Sequence, residues 1–256
     1  MAEKPWYESF FGEDYLRIYA PFLPPERSQM EAEQIIKLLQ LPPGSKVLDL
    51  CCGYGRHTLP LARQGYRMTG LDLNDYFLQQ ARAAAREQDL QVRWLHGSMR
   101  HIPFHDEFDA VINIFTSFGY LENDEADLEV LQQVHKALKP GGLFLLETVH
   151  QARVLRSFAP HGIIRYQDDL IVLEERQIDL LKSRYNVQIS LLFPDGARRE
   201  HQQSMRIYTP TELSEMLSFV GLPIQAAYGG LDGRPLSMDS RLTLVCRKAA
   251  SSSIDR

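Results

Sequence analysis

The sequence predicts an α/β fold, a doubly wound, mostly parallel sheet with an antiparallel β lid inserted in it. Three observations predict it. Buried-strand patterns alternate with helix patterns over residues 46–149, and βαβα alternation builds a parallel sheet covered by helices. Within that stretch a hydrophobic strand runs directly into a glycine-rich turn, Val47-Leu48-Asp49-Leu50-Cys51-Cys52-Gly53-Tyr54-Gly55-Arg56. After His150 the rhythm changes to long, half-exposed strands, two of them joined by the turn Phe193-Pro194-Asp195-Gly196.

The elements follow in order. Behind an aromatic N-terminal segment, residues 30–41 read as a helix ended by Pro42-Pro43-Gly44. Residues 46–50 form a buried strand, and 57–64 a helix closed by Gly65. Residues 66–71 and 91–95 read as strands around an Ala- and Arg-rich helix at 75–88. A strand at 108–115 precedes a helix at 124–138, which Lys139-Pro140-Gly141-Gly142 stops before a strand at 142–149. The inserted strands are 170–179, 182–193 and 197–209. Thr209-Pro210-Thr211-Glu212 opens a last helix, with Pro210 in its first turn. Strands at 223–228 and 241–247 close the pattern.

A chain of 256 residues buries a substantial core without disulfides or metals. Its formal net charge of −5 provides no general basic field for a nucleic-acid backbone. Cys51, Cys52 and Cys246 are odd in number and lack metal-ligand spacing, so they read as small buried residues of a reducing compartment. The eight histidines are scattered, and no metal site is expected. The charged, broken N-terminus is unlike a signal peptide, and no run approaches the ~18 apolar residues of a membrane span. The expectation is a cytoplasmic protein without membrane or nucleic-acid partners, as a monomer or homodimer.

The glycine turn carries the functional reading. Its glycines let the backbone approach a ligand, and the following helix offers free N–H groups. The next strand ends Gly70-Leu71-Asp72-Leu73, placing a carboxylate where it can accept hydrogen bonds from both hydroxyls of a ribose. Thr58 occupies the position where the dinucleotide fingerprint GxGxxG needs its third glycine, which disfavours a pyrophosphate cradle. No GxxxxGK[ST] loop is present either. The ligand class left is an adenosine without phosphates.

On these residues the chain resembles the class I S-adenosylmethionine (SAM)-dependent methyltransferases, over roughly residues 47–149 and again at the C-terminal strands. Asp49 to Gly55 matches their D-x-G-x-G-x-G motif, with Cys51 in place of the first glycine. Gly97-Ser98-Met99, the strand from Phe108 to Asn113, and Leu138-Lys139-Pro140-Gly141-Gly142 match later motifs in order. The resemblance implies a Rossmann-like domain made of residues 1–150 and 205–249, a lid subdomain at 151–204, and a flexible tail at 250–256. It implies SAM as cofactor, with Asp49 and Gly53 beside the methionine part and Asp72 on the ribose. Tyr54, Gly55, Leu73, Ser98, Met99, Asn113 and Ile114 complete the expected cofactor set, with Tyr15 reaching in from the N-terminal segment.

Acceptor contacts are expected at the carboxyl ends of the strands and on whatever covers them. The loop at 113–119, with Ser117 and Phe118, is one source. Others are Tyr7 and Tyr15 as a flap, His150 as the best candidate base, and Arg206 and Tyr208 where the insertion rejoins the domain. Tyr15 is the second catalytic candidate. The sequence resembles small-molecule enzymes with an antiparallel cover, such as glycine/sarcosine and amino-sugar N-methyltransferases. A nitrogen acceptor is expected first and an oxygen second. The alternative is a SAM-binding sensor or partner subunit without turnover.

Overall fold

A computed structural model describes residues 4–250. It contains α1 (Trp6–Phe10), α2 (Glu13–Tyr19), α3 (Pro25–Leu39), β1 (Lys46–Leu50), α4 (Thr58–Arg63), β2 (Arg67–Asp72), α5 (Asp75–Glu87) and β3 (Arg93–His96). There follow β4 (Phe108–Asn113), α6 (Asp124–Ala137), β5 (Leu138–Thr148), α7 (Gln151–Arg156) and the lid strands β6 (His161–Arg165), β7 (Ile171–Asp179), β8 (Arg184–Leu192) and β9 (Arg198–Arg206). The chain closes with α8 (Pro210–Phe219), β10 (Ile224–Tyr228) and β11 (Leu242–Arg247).

The main sheet has seven strands in the order β10-β11-β5-β4-β1-β2-β3. Strands β1 to β5 pair in parallel, and β11 runs antiparallel to both β5 and β10. Strand order reverses at β1, which lies between β2 and β4. Ligands of open α/β sheets bind in the crevice at such a switch point. Alternate residues of each strand serve opposite faces. Leu48, Leu50 and Val111 pack with α6 and α8, while Val47, Ile112 and Leu145 pack with α3 and α4.

Helix α3 begins five residues earlier than its hydrophobic pattern indicates, because Pro25 takes the first helical position with its preset φ. The Lys139-Pro140-Gly141-Gly142 turn lies inside β5 as an irregularity: Phe108 pairs with Leu138, but Ala110 pairs with Leu143. The helix expected to open at Thr209 does so through a capping box, with Thr209 and Glu212 each bonding the other's backbone.

The lid is a four-stranded antiparallel sheet, β6-β7-β8-β9. It includes one strand, β6, absent from the sequence reading, and β9 runs on past residue 204. Its apolar face (Leu170, Val172, Val187, Ile189 and Leu191) packs on Phe10 and Ile18 of the N-terminal helices. Buried Asp14 of α2 reinforces the join, accepting from Arg199 at 2.7 Å and lying 2.9 Å from His201 Nε2. Of the expected tail, residues 251–256 lie outside the described residues.

Among the described residues, no helix is long and apolar enough to cross a membrane. Nor does any cluster of three or more His, Cys, Asp or Glu side chains there form a metal site.

Candidate active site

At the end of β1 the chain turns away from the sheet, and the N–H groups of Cys51 and Cys52 both donate to the Leu71 carbonyl, at 2.8 and 3.1 Å. Cys51, Gly53 and Gly55 all have left-handed backbone, with φ of 62°, 54° and 84°. At Gly55 a Cβ would come within 3.0 Å of Trp94 and 3.3 Å of Leu59, so a side chain there would push the loop off α4 and β3. Asp49 lies buried under this loop and accepts the Thr58 hydroxyl at 2.6 Å. Burial pushes its carboxyl up to about 7, against the opposing pull of the Thr58 hydrogen bond. Asp49 thus braces the turn from below.

Asp72 closes β2 and faces a cavity of about 480 Å³, a volume typical of small-molecule sites. One of its carboxylate oxygens accepts from Gly53 N at 2.7 Å, the other from Asn74 N at 2.8 Å. Each oxygen keeps acceptor capacity for a ligand hydroxyl. Burial raises the Asp72 carboxyl in spite of these backbone bonds. Gly53, Tyr54, Leu73, Ser98, Met99 and Ile114 line the same cavity, as do Tyr7, Tyr15 and Ser117. Nine expected positions from five separate stretches thus meet Asp72 at one site.

Arg56 and His57 also line this cavity, and the sequence reading gave Arg56 no role in it. Glu31 of α3 binds both: Arg56 directly, and His57 Nε2 at 2.8 Å. Burial alone would raise the Glu31 carboxyl, but the bond from His57 and the Arg56 charge outweigh it and hold the carboxyl well down. Burial, reinforced by Arg56, lowers His57 to about 4, so its imidazole is neutral near pH 7. The Arg56 Nη2 nitrogen is buried without a partner. A buried unpartnered guanidinium nitrogen is costly in isolation and suits an anionic ligand group.

A second cavity of about 280 Å³ lies beneath the lid and shares Tyr15, Phe115 and Tyr120 with the first. The lid contributes Tyr185, Gln203 and Met205; α7 contributes Arg153 and Val154. Its floor is held in strained backbone, since Phe115 and Thr116 are consecutive non-glycine residues at φ 72° and 67°. Buried Glu147 of β5 holds this turn. Its carboxylate accepts from Phe115 N at 2.8 Å, and its backbone carbonyl accepts from Thr116 N at 3.1 Å. The same carboxylate binds Arg241, which donates onward to the Thr116 hydroxyl.

Other expected residues stand outside both cavities. His150 is buried, with Nε2 3.2 Å from the Ser237 carbonyl and Nδ1 unpartnered, so the structure gives it no access to an acceptor. Arg206 is tied to Asp124 at 3.0 Å and Glu212 at 2.7 Å, and its guanidinium lies over the Tyr208 ring. Tyr208 donates to Asp127 at 2.9 Å, and Phe118 packs against its ring. These three form the joint at which β9 returns to the domain. There Arg206 N donates to Gly119 O at 2.7 Å, and a Cβ on Gly119 would lie 2.6 Å from Arg206 O. Asn113 donates to the Leu50 carbonyl at 2.8 Å and joins β4 to β1. Arg206 is thus engaged in ion pairs within the fold, and His150, the expected base, is buried away from both cavities.

A seven-stranded sheet with its cavity at the β1/β4 switch point, a glycine turn and a strand-end carboxylate together define a class of protein. The fold is that of solved SAM-dependent methyltransferases with an antiparallel lid insertion. Residues 47–142 match the sequence profile of a methyltransferase domain. An uncharacterized methyltransferase of Synechocystis sp. is 38% identical over 115 residues, which are 44% of this chain and 51% of that protein. The chain spans about half the length of the first curated relatives it matches.

The solved CcbJ methyltransferase of Streptomyces caelestis superposes with a TM-score of 0.77 at 23% identity, covering 89% of this chain and 91% of its own. A SAM-bound amino pentose methyltransferase, CalS10 of Micromonospora echinaspora, superposes with a TM-score of 0.69 at 20% identity, covering 94% and 98%. The solved CalS10 holds SAM, and the residues present here fit that cofactor. Asp72 offers free acceptor capacity to a diol, the glycine turn leaves room for close approach, and Arg56 has an unsatisfied donor for a carboxylate.

Proposed function

We propose that the protein transfers a methyl group from SAM to a nitrogen, or else an oxygen, of a small-molecule acceptor seated in the cavity beneath the lid. One observation carries the reading: the cofactor cavity and the lid cavity share a wall of three aromatic residues, Tyr15, Phe115 and Tyr120. Cavities that share lining residues adjoin, and ligands in them can react where the shared side chains leave a passage for the reacting atoms to meet at about 3–3.5 Å. The amino pentose on which CalS10 acts supports a nitrogen acceptor.

When bound, SAM supplies an electrophilic methyl carbon on a sulfonium that is already a good leaving group. Asp72 would hold the ribose, Gly53 would lie beside the methionine part, and Arg56 would meet its carboxylate. The aromatic wall excludes water and narrows the approach of the acceptor. No carboxylate or imidazole lines the lid cavity among the described residues. Burial also keeps Tyr15 and Tyr120 protonated well above their ordinary range. Rate then comes from positioning and desolvation, with the acceptor arriving in its nucleophilic form.

The test is formation of S-adenosylhomocysteine in mixtures of purified protein, SAM and fractionated small metabolites. Turnover by the wild type, and none by Asp72→Ala at the same SAM concentration, is the expected result. Tight S-adenosylhomocysteine binding with no turnover in any fraction would replace the enzyme by a SAM-binding sensor.

A further inference from the structure

The lid cavity has a chemical character of its own. Its walls are largely aromatic and aliphatic with Thr116, Ser157 and Gln203 among them, and its only charged lining residues among those described are Arg153 and Arg241. Arg241 is neutralised by its bonds to Glu147. Arg153 is half-buried, and its helix neighbour Arg156 pairs with Asp239 at 2.8 Å. Arg153 itself has no ion-pair partner among the described residues. A guanidinium partly withdrawn from water beside aromatic rings, with no anion of its own, is arranged for an anion from outside.

We infer that the acceptor is a ring-bearing monocarboxylate, its carboxylate clamped by Arg153 and its ring held among Tyr15, Tyr19, Tyr120 and Tyr185. This rests on the lid cavity being the acceptor site. Charge count selects carboxylate over phosphomonoester. One unpaired guanidinium balances a single negative charge, whereas a dianion would leave one charge uncompensated among largely aromatic and aliphatic walls. The same guanidinium disfavours an ammonium group, so an amine acceptor enters neutral. Arg153 is thereby a specificity-determining residue, contributed by α7, a helix that the sequence reading did not contain.

The test is calorimetry on protein saturated with S-adenosylhomocysteine, using one ring with four substituents: benzoate, benzamide, benzylamine and phenyl phosphate. Benzoate is expected to bind about tenfold or more tighter than benzamide, the scale of a charge-assisted hydrogen bond. Benzylamine should be weakest, and phenyl phosphate weaker than benzoate. Arg153→Ala should erase the benzoate advantage, Arg153→Lys should restore part of it, and S-adenosylhomocysteine affinity should stay unchanged in both. Equal binding of benzoate and benzamide, tighter binding of phenyl phosphate, no benzoate binding at millimolar concentration, or a preference surviving in Arg153→Ala would each overturn the inference. Failure of the wild type to bind S-adenosylhomocysteine is a separate readout that strikes the transferase reading itself.

Discussion

The two cavities are built by different means. The cofactor cavity is assembled mainly from strand ends and the loops that leave them: β1 into the glycine turn, β2 into Asp72, β3 into Ser98 and Met99. Each contribution follows a hydrophobic strand directly, so each residue's place is set by a short stretch of chain. The lid cavity takes residues from α2, the loop after β4, α7, β8, β9 and Arg241 just before β11. Its charged network joins Thr116, Glu147 and Arg241, which are far apart in sequence. Strand-end sites of this kind can be read locally, whereas a site made by docking a lid cannot.

That contrast can be broken most severely at Glu147. Glu147→Ala leaves Arg241, its side chain only 25% exposed, without its carboxylate and releases the strained turn at Phe115. A loss of about 3–5 kcal/mol is expected in urea unfolding, and much of it should be recovered when Arg241→Met is added. If the single variant is as stable as wild type, the network does not hold the lid cavity.

On the cofactor side, Asp72→Ala should weaken S-adenosylhomocysteine binding by about ten- to a hundredfold in calorimetry, since it removes a charged acceptor of two hydrogen bonds. Unfolding midpoints measured alongside would separate this from a general loss of structure.

Asp49 sharpens the comparison by pH. In the folded protein burial raises its carboxyl to about 7, whereas the unfolded chain ionises it near 4. Between those values the folded state binds more protons, so its contribution to stability falls as pH rises and levels off above 7. Stability curves across that range should show Asp49→Asn gaining on the wild type with pH, then running parallel to it. A constant difference would place Asp49 in contact with water. His57, lowered to about 4, contributes the opposite slope between about 4 and 6.5 in both proteins and cancels in the difference.

The smallest effect is expected at His150. With His150 buried against Ser237, His150→Ala should leave S-adenosylhomocysteine affinity and turnover near wild type, while stability falls by about 1–2 kcal/mol from the lost packing and hydrogen bond. A collapse of kcat with an altered pH profile would return it to the role of a base.

The residues from Val47 to Gly142 show how much was legible in advance. Strand order apart, the parallel core, the turn at Gly53 and Gly55, and the carboxylate at Asp72 all follow from hydrophobic runs ending in glycine or aspartate. Arg56 escaped notice because its partner, Glu31, lies on a helix whose relation to the turn has no local signal. Phe118, Arg206 and Tyr208 were expected to face an acceptor because their stretches border the site. Their side chains turn instead into the joint with Asp124, Asp127 and Glu212.

By itself the sequence determined the α/β class, the glycine turn, its strand-end carboxylate and the presence of an antiparallel insertion, because periodicity and turn chemistry act over a few residues. Only the tertiary structure decided which way the lid faces, that α1 and α2 complete its core, and that Arg153, without an ion-pair partner among the described residues, lines the lid cavity. These depend on contacts between segments distant in sequence, and a side chain's charge partner is known only once the chain has closed around it.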